Sequence, residues 1–250
     1  MDDKKLYSRY LIPTFIHIIL VTLIAAILGI SGLKLGYNSF LGIVLIILAG
    51  ISSALWGVIY QSKYNDKNFG KIIKDFFDVR QSLKNYVMIF LFLVIDFGSV
   101  IICWGFKAES IWVPIVLFLK AIVFGGIEEI GWRYTFQPVI EKKMSYVFAT
   151  FMTFLCWGIW HFLFFYIDGS IAIINISLFL LGLLTNSFVL SALFAYSNSL
   201  WICVMTHALI NALSQISTDE NSIASIVLKV ICITIAIILY YVSKKKSEKE

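Results

Sequence analysis

Residues 125–133 read Gly-Gly-Ile-Glu-Glu-Ile-Gly-Trp-Arg, GGIEEIGWR, and they lie inside an apolar run, 110–137, long enough to cross a bilayer. Glu128, Glu129 and Arg133 thus stand within six residues of one another where each charge costs ~2.5–3.5 kcal/mol on insertion scales. How this stretch is read decides what the chain is, because ionisable groups kept at such a depth need a partner or a task.

The rest of the sequence fixes the setting. Of 250 residues 60% are hydrophobic and only 14% are charged, more apolar surface than a soluble core absorbs. Apolar runs near 11–33, 39–61, 85–106, 110–137, 144–167, 170–195, 199–217 and 222–243 predict an all-α, polytopic membrane protein of about eight transmembrane helices. The first run is too long for a signal-peptide core and no small-residue cleavage site follows, so it is expected to stay as a span. Lys and Arg gather in 4–9, 63–84, 142–143 and 244–249, whereas the alternate loops carry Lys34 and Lys107 alone. That bias puts both termini in the cytoplasm of a multi-pass protein of the cell (plasma) membrane. The net charge of +5 is therefore loop charge, and nucleic acid is not an expected partner.

No linker or repeat divides the chain, so 1–250 reads as a single membrane domain. Between the second and third runs, Phe69, Ile72, Ile73, Phe76 and Phe77 recur at helical spacing among lysines, the pattern of an interfacial amphipathic helix. Cys103, Cys156, Cys203 and Cys232 stand singly within apolar segments and read as small packing residues.

Helical geometry sorts the ionisable cluster. At about 100° per residue, Arg133 lies about 40° from Glu129 and about 140° from Glu128. Glu129 is the expected partner of Arg133, and Glu128, facing elsewhere, is a candidate general base. Two more polar positions lie on other spans: Trp157 is one turn before His161 in WGIWH, and His207 and Asn211 share a helix face in HALIN. Counted from the expected cytoplasmic ends, Glu128 and His207 lie at ~14 and ~12 Å but His161 at ~25 Å, so the three meet only if a helix tilts or a boundary moves. Lys229 is expected to snorkel, Lys120 to find a partner such as Asp96, and His17 to be a packing residue. Trp132, Trp157 and Trp160 could wall a cavity or simply pack.

The three motifs together resemble those of the CPBP intramembrane proteases, the CAAX-protease and bacteriocin-processing (Abi) family. Its EExxxR, FxxxH and HxxxN patterns appear as EEIGWR (Glu128, Glu129, Arg133), WGIWH (Trp157, His161) and HALIN (His207, Asn211), with Trp157 where Phe is common. The resemblance covers a core of 110–217 and implies a peptide-bond hydrolase with its active site within the helix bundle. Glu128 and His161 would activate water, His207 and Asn211 would stabilise the oxyanion, and Glu129 with Arg133 would orient the helix. Expected partners are a peptide or membrane-protein substrate and the lipid bilayer. No cofactor is expected; zinc or another divalent metal, if used, would draw on Glu128, His161 and His207. The family is described both as metalloproteases and with a metal-free glutamate mechanism, and it is the family that favours the latter here. Two other classes stand beside the protease: a proton-coupled transporter, with Gly125-Gly126 as a helix break, and a non-catalytic scaffold with an immunity or regulatory role.

Overall fold

The computed structural model describes residues 3–33, 35–218 and 222–247; Lys34 and Lys249, counted in the loop-charge pattern, fall outside them. The described residues form helices joined by short turns, with a single isolated bridge between Phe106 and Ser217. In chain order these are α1 (Tyr7–Ile30), α2 (Phe40–Tyr64), α3 (Phe69–Phe76), α4 (Leu83–Asp96), α5 (Trp112–Phe124), α6 (residues 128–140), α7 (Tyr146–Asp168), α8 (Ile176–Ser197), α9 (Leu200–Ile216) and α10 (Ile223–Ser247).

Five of these, α1, α2, α7, α8 and α10, are long and apolar enough to cross a membrane. The chain is a multi-pass, all-helical membrane protein. The other three expected spans depart from simple helices for local reasons. The run 85–106 stops being α-helical at Asp96 and ends in a π-turn, Val100–Trp104. The run 110–137 is broken after Phe124, and α9 has 17 residues.

Side-chain caps mark the ends where the chain turns. Ser39, Asn68, Ser82, Ser145, Asn175 and Ser199 each accept a hydrogen bond from the backbone N–H three residues on. Each satisfies one of the donors left free at a helix N-terminus. Asn198, in the left-handed region at φ 51°, ends α8 and lets α9 start two residues later.

The packing places α6 at the centre, against α2 on one side and α7, α8 and α9 on the others. Its approach to α2 depends on glycine: a Cβ on Gly131 would lie 2.5 Å from Tyr10 Oη and 2.7 Å from the Ser53 carbonyl oxygen. Small residues let two backbones pass this closely in a membrane, where no hydrophobic effect drives helices together. Within α6 the turn Trp132–Phe136 is a π-turn, which disturbs the usual carbonyl pairing. The polar groups it exposes are taken up locally. Thr135 Oγ1 donates to the Ile130 carbonyl at 2.7 Å, and the buried Gln61 amide of α2 donates to the Tyr134 carbonyl and, at 3.2 Å, to Thr135 Oγ1.

The basic segments gather at one end of the bundle. Lys5 sits over the Tyr64 ring at the end of α2, Tyr146 at the start of α7 stacks on Tyr240 near the end of α10, and Asn198 shares one cavity with Lys142 and Lys244. The amphipathic helix α3 forms as expected at this end; Ile72 and Phe76 are buried against the bundle while Phe69 and Phe77 remain exposed.

Two ionisable residues differ from expectation. Lys229 does not snorkel: its Nζ is 2.8 Å from Asp96 Oδ1, a pairing between α10 and α4 that neutralises both charges. Lys120, deprived of that carboxylate, lies 5.6 Å from the Tyr37 ring centroid instead. His17 bonds the Leu48 backbone, in keeping with a packing role.

Candidate active site

α6 begins where the preceding helix breaks. α5 ends at Phe124, and the Gly125 and Gly126 amides both bond back to the Ala121 carbonyl before the chain restarts at Glu128. The break suits its surroundings, since a Cβ on Gly125 would meet Asn211 Nδ2 at 2.6 Å and His207 Nε2 at 3.2 Å. One on Gly126 would meet Val204 Cγ1 at 2.7 Å. Glycine thus lets the α5–α6 junction lie directly against the polar face of α9.

The two glutamates then part company. Glu129 is fully buried; its Oε1 accepts from Arg133 Nη1 at 3.3 Å and lies 2.7 Å from His207 Nδ1. The Arg133 pairing is the one expected from helical spacing. The histidine was not expected there, and it makes Glu129 a bridge between α6 and α9 instead of a strut within α6.

Glu128 turns towards α7. Its Oε2 accepts from the indole Nε1 of Trp157 at 2.6 Å and lies 3.8 Å from His161 Nε2. The latter distance is beyond a direct hydrogen bond. His161 is ringed by Trp157, Trp160, Phe165 and Phe179, and its buried Nδ1 has no hydrogen-bond partner among the described residues. Trp157 also carries the Arg133 guanidinium 4.1 Å from its ring centroid and stands edge-on to His207. A single indole therefore touches both halves of the polar cluster, with its N–H on Glu128 and its face under Arg133.

Glu128, Glu129, Arg133, His161, His207 and Asn211 accordingly come together from α6, α7 and α9. The depth mismatch for His161 closes because the helices end elsewhere than expected. From Ile140 and Tyr146, Glu128 and His161 are ~18 and ~22 Å deep. α9 begins at Leu200, packed in one cluster with Ile72 and Phe76 of α3, and His207 is brought level with the other two by its contacts with Glu129 and the Trp157 ring. The three tryptophans divide by role: Trp160 donates to Ser52 Oγ at 2.8 Å, Trp132 packs on Tyr10 and Phe136, and Trp157 is in the site.

As a metal centre the cluster fits poorly. Among the described residues no group of three His, Cys, Asp or Glu is placed to hold an ion, and the Trp157 N–H occupies Glu128 Oε2. The Glu129 contact with His207 Nδ1 weighs neither way, since a metal-ligating histidine uses its other ring nitrogen. The donors available to Glu128 are an indole N–H and, across a gap, an imidazole.

This arrangement, with one carboxylate held beside an imidazole and a second locked between arginine and histidine, can be set against known families. Residues 110–213 match the Rce1-like family model, that of the type II CAAX prenyl endopeptidases. The matched segment contains all six candidate residues and belongs with the CAAX proteases that the three motifs resemble. No curated protein matches the chain. The CAAX-protease segment runs from α5 into α9, so the helix break, the π-turn and both histidines lie within it. The coarse reading that follows is a protease of the membrane, acting on a peptide or protein substrate.

Proposed function

We infer that the chain is an intramembrane endopeptidase in which Glu128 is the general base. The observation that carries this reading is the 3.8 Å separation of Glu128 Oε2 and His161 Nε2. A water hydrogen-bonded to both at about 2.8 Å subtends about 85° at its oxygen, so the gap accommodates the attacking nucleophile. Glu128 takes a proton from this water as its oxygen bonds to the peptide carbonyl carbon. The same proton then passes to the amine nitrogen as the C–N bond breaks, which leaves one carboxylic acid and one amine.

The oxyanion formed in between needs donors. The Asn211 amide supplies one in any protonation state. His207 Nδ1 faces the Glu129 carboxylate, and if its proton points there, Nε2 donates only when the ring is doubly protonated. Asn211 is thus the primary oxyanion donor, with His207 auxiliary to it. Glu129 and Arg133 fix the α6–α9 geometry. No step is routed through a metal, in keeping with the donor geometry.

In this reading 110–217 forms the catalytic core of one membrane domain, the three irregular segments also cross the plasma membrane to give eight spans, and both termini are cytoplasmic. Small peptide precursors are the preferred substrate class. Incubation of the reconstituted chain with a set of precursor peptides should yield fragment pairs whose masses sum to the substrate plus one water. Cleavage should persist after removal of divalent ions by chelator, and zinc-dependent cleavage would overturn the metal-free step. If Glu128→Gln fully complements loss of the wild type in cells, the scaffold reading replaces the hydrolase.

A further inference from the structure

The amphipathic helix α3 has two apolar edges, and the bundle uses only one of them. Ile72 and Phe76 are buried at 0% and 4% exposure in the cluster that includes Leu200 and Ile202 of α9. Phe69, Ile73 and Phe77, 63%, 38% and 55% exposed, succeed one another at four-residue intervals within about 80° of arc and face away from the bundle. Such a row is stable only beside another apolar medium.

Two features say which medium. α3 packs on α2 and α9 at the end where the basic segments gather, so its outer edge lies level with the helix ends and hence with the membrane interface. The stretch 63–84 also carries six Lys or Arg against three Asp. Lys74 adjoins the exposed apolar row on the helical wheel, and Lys71 lies on the side remote from it. An apolar edge bordered by cations complements a leaflet of anionic lipid, with hydrocarbon under the rings and phosphate at the lysines.

The inner side of α3 reaches the site helix. Tyr134, one residue beyond Arg133, donates its hydroxyl to Asp75 Oδ2, and Asp75 Oδ1 is 2.7 Å from Lys71 Nζ. Lys67 Nζ caps the Tyr134 ring at 3.9 Å from its centroid. Asp75 is held charged by these contacts: burial raises its carboxyl, but the hydrogen bonds from Lys71 and Tyr134 outweigh that and leave it below the ordinary aspartate value.

We propose that α3 is an anionic-lipid-binding element that docks Phe69, Ile73 and Phe77 into the cytoplasmic leaflet and, through Asp75 and Tyr134, steadies helix α6. The inference stands on this contact chain and does not depend on what α6 catalyses. The partner is the lipid surface itself, recognised by negative headgroup charge.

The test uses the full chain with its four cysteines replaced and a fluorophore at Phe77→Cys or Lys71→Cys. It is reconstituted in phosphatidylcholine vesicles with or without a share of phosphatidylglycerol. Quenching by lipids that carry a headgroup-level spin label should be several-fold stronger at 77 than at 71. The anionic lipid should increase it, and Lys74→Glu should reduce that increase. Hydrogen exchange in the peptide covering 132–145 should slow several-fold on adding phosphatidylglycerol, and Asp75→Asn should abolish the slowing while the probe at 77 stays quenched. A probe at 77 as open to aqueous iodide as the probe at 71 in both vesicles would overturn the docking. Exchange that is the same in both vesicles would overturn the link to α6. Neither readout involves hydrolysis, so their failure is distinct from failure of the protease reading.

Discussion

The indole N–H of Trp157 donates to Glu128 Oε2 at 2.6 Å, the same oxygen that faces His161. Phenylalanine, common at this position in the resembling family, has no such donor, so the tryptophan does more here than fill the aromatic position. In Trp157→Phe most of the ring volume stays and the donor goes. A hydrogen bond to a charged group is worth about 1.5–3 kcal/mol, and its loss should lower kcat about 10- to 100-fold. Peptide cleavage kinetics beside a thermal melt that moves by only a few degrees would establish the effect.

The two glutamates should separate in mutagenesis. Glu128→Gln and His161→Ala are expected to remove most activity. The first should leave the melting temperature nearly unchanged, because it breaks no direct ion pair, and the second should lower it only by the cost of the cavity left among the aromatic rings. Glu129→Gln strands Arg133 and disturbs His207 Nδ1, and Arg133→Ala leaves the buried Glu129 with His207 as its remaining partner. Both should cost about 3–5 kcal/mol in stability as well as activity. Equal melting curves for all four variants would contradict the assignment of Glu129 as the bridge.

Gly125→Ala offers a steric probe of the oxyanion donors. Its methyl would sit 2.6 Å from Asn211 Nδ2 and 3.2 Å from His207 Nε2, so both must shift. The expected result is a loss of about 100-fold in kcat with insertion and yield retained, since a 1 Å displacement of a positioned group costs that order. Gly131→Ala, which drives a methyl towards Tyr10 Oη and the Ser53 carbonyl, should instead destabilise the α2–α6 crossing by about 1–3 kcal/mol.

Glu141, just beyond α6, gives a pH signature of stability. Burial lifts its carboxyl to about 7 from 4.5, against the lowering effects of the Gln137 hydrogen bond and nearby Lys244. The folded state therefore holds the proton more tightly than the unfolded chain, and this contribution is full below about 4.5 and lost as pH rises through about 7. The melting temperature should decline between about pH 5 and 8, and Glu141→Gln should flatten that part of the profile. A curve unchanged by the substitution would show that another group titrates.

Much of this was legible from residue type and spacing. Apolar run length located the ends of the five long apolar helices to within about six residues, and the four-residue step from Glu129 to Arg133 predicted their contact. What spacing could not supply was partnership across helices. His207 on Glu129, the Trp157 donor on Glu128 and the Lys229–Asp96 pair each join segments far apart in sequence. The tryptophan at an aromatic position was a signal, read only for its bulk. The irregular spans were hidden for another reason: hydropathy is insensitive to backbone geometry, so the break at Gly125 and the π-turn at Trp132–Phe136 leave the apolar run intact.

That π-turn also makes the chain sensitive to changes in length. A π-turn accommodates one residue more than the α-turn it replaces, so deleting a single residue from 132–136 would let α6 close into an ordinary α-helix with its hydrogen bonds complete. The repaired helix would be locally sound and wrong in register: with 137–140 fixed by Gln137 on Thr150 and Ser191, residues 128–131 would rotate by about 100°. Glu128 would leave Trp157 and His161 although every residue of the three motifs, apart from the one deleted, was still present. For this protein the count of residues between Glu129 and Gln137 carries as much information as their identities, and an alignment gap there would separate active from idle relatives even where both glutamates and both histidines are kept.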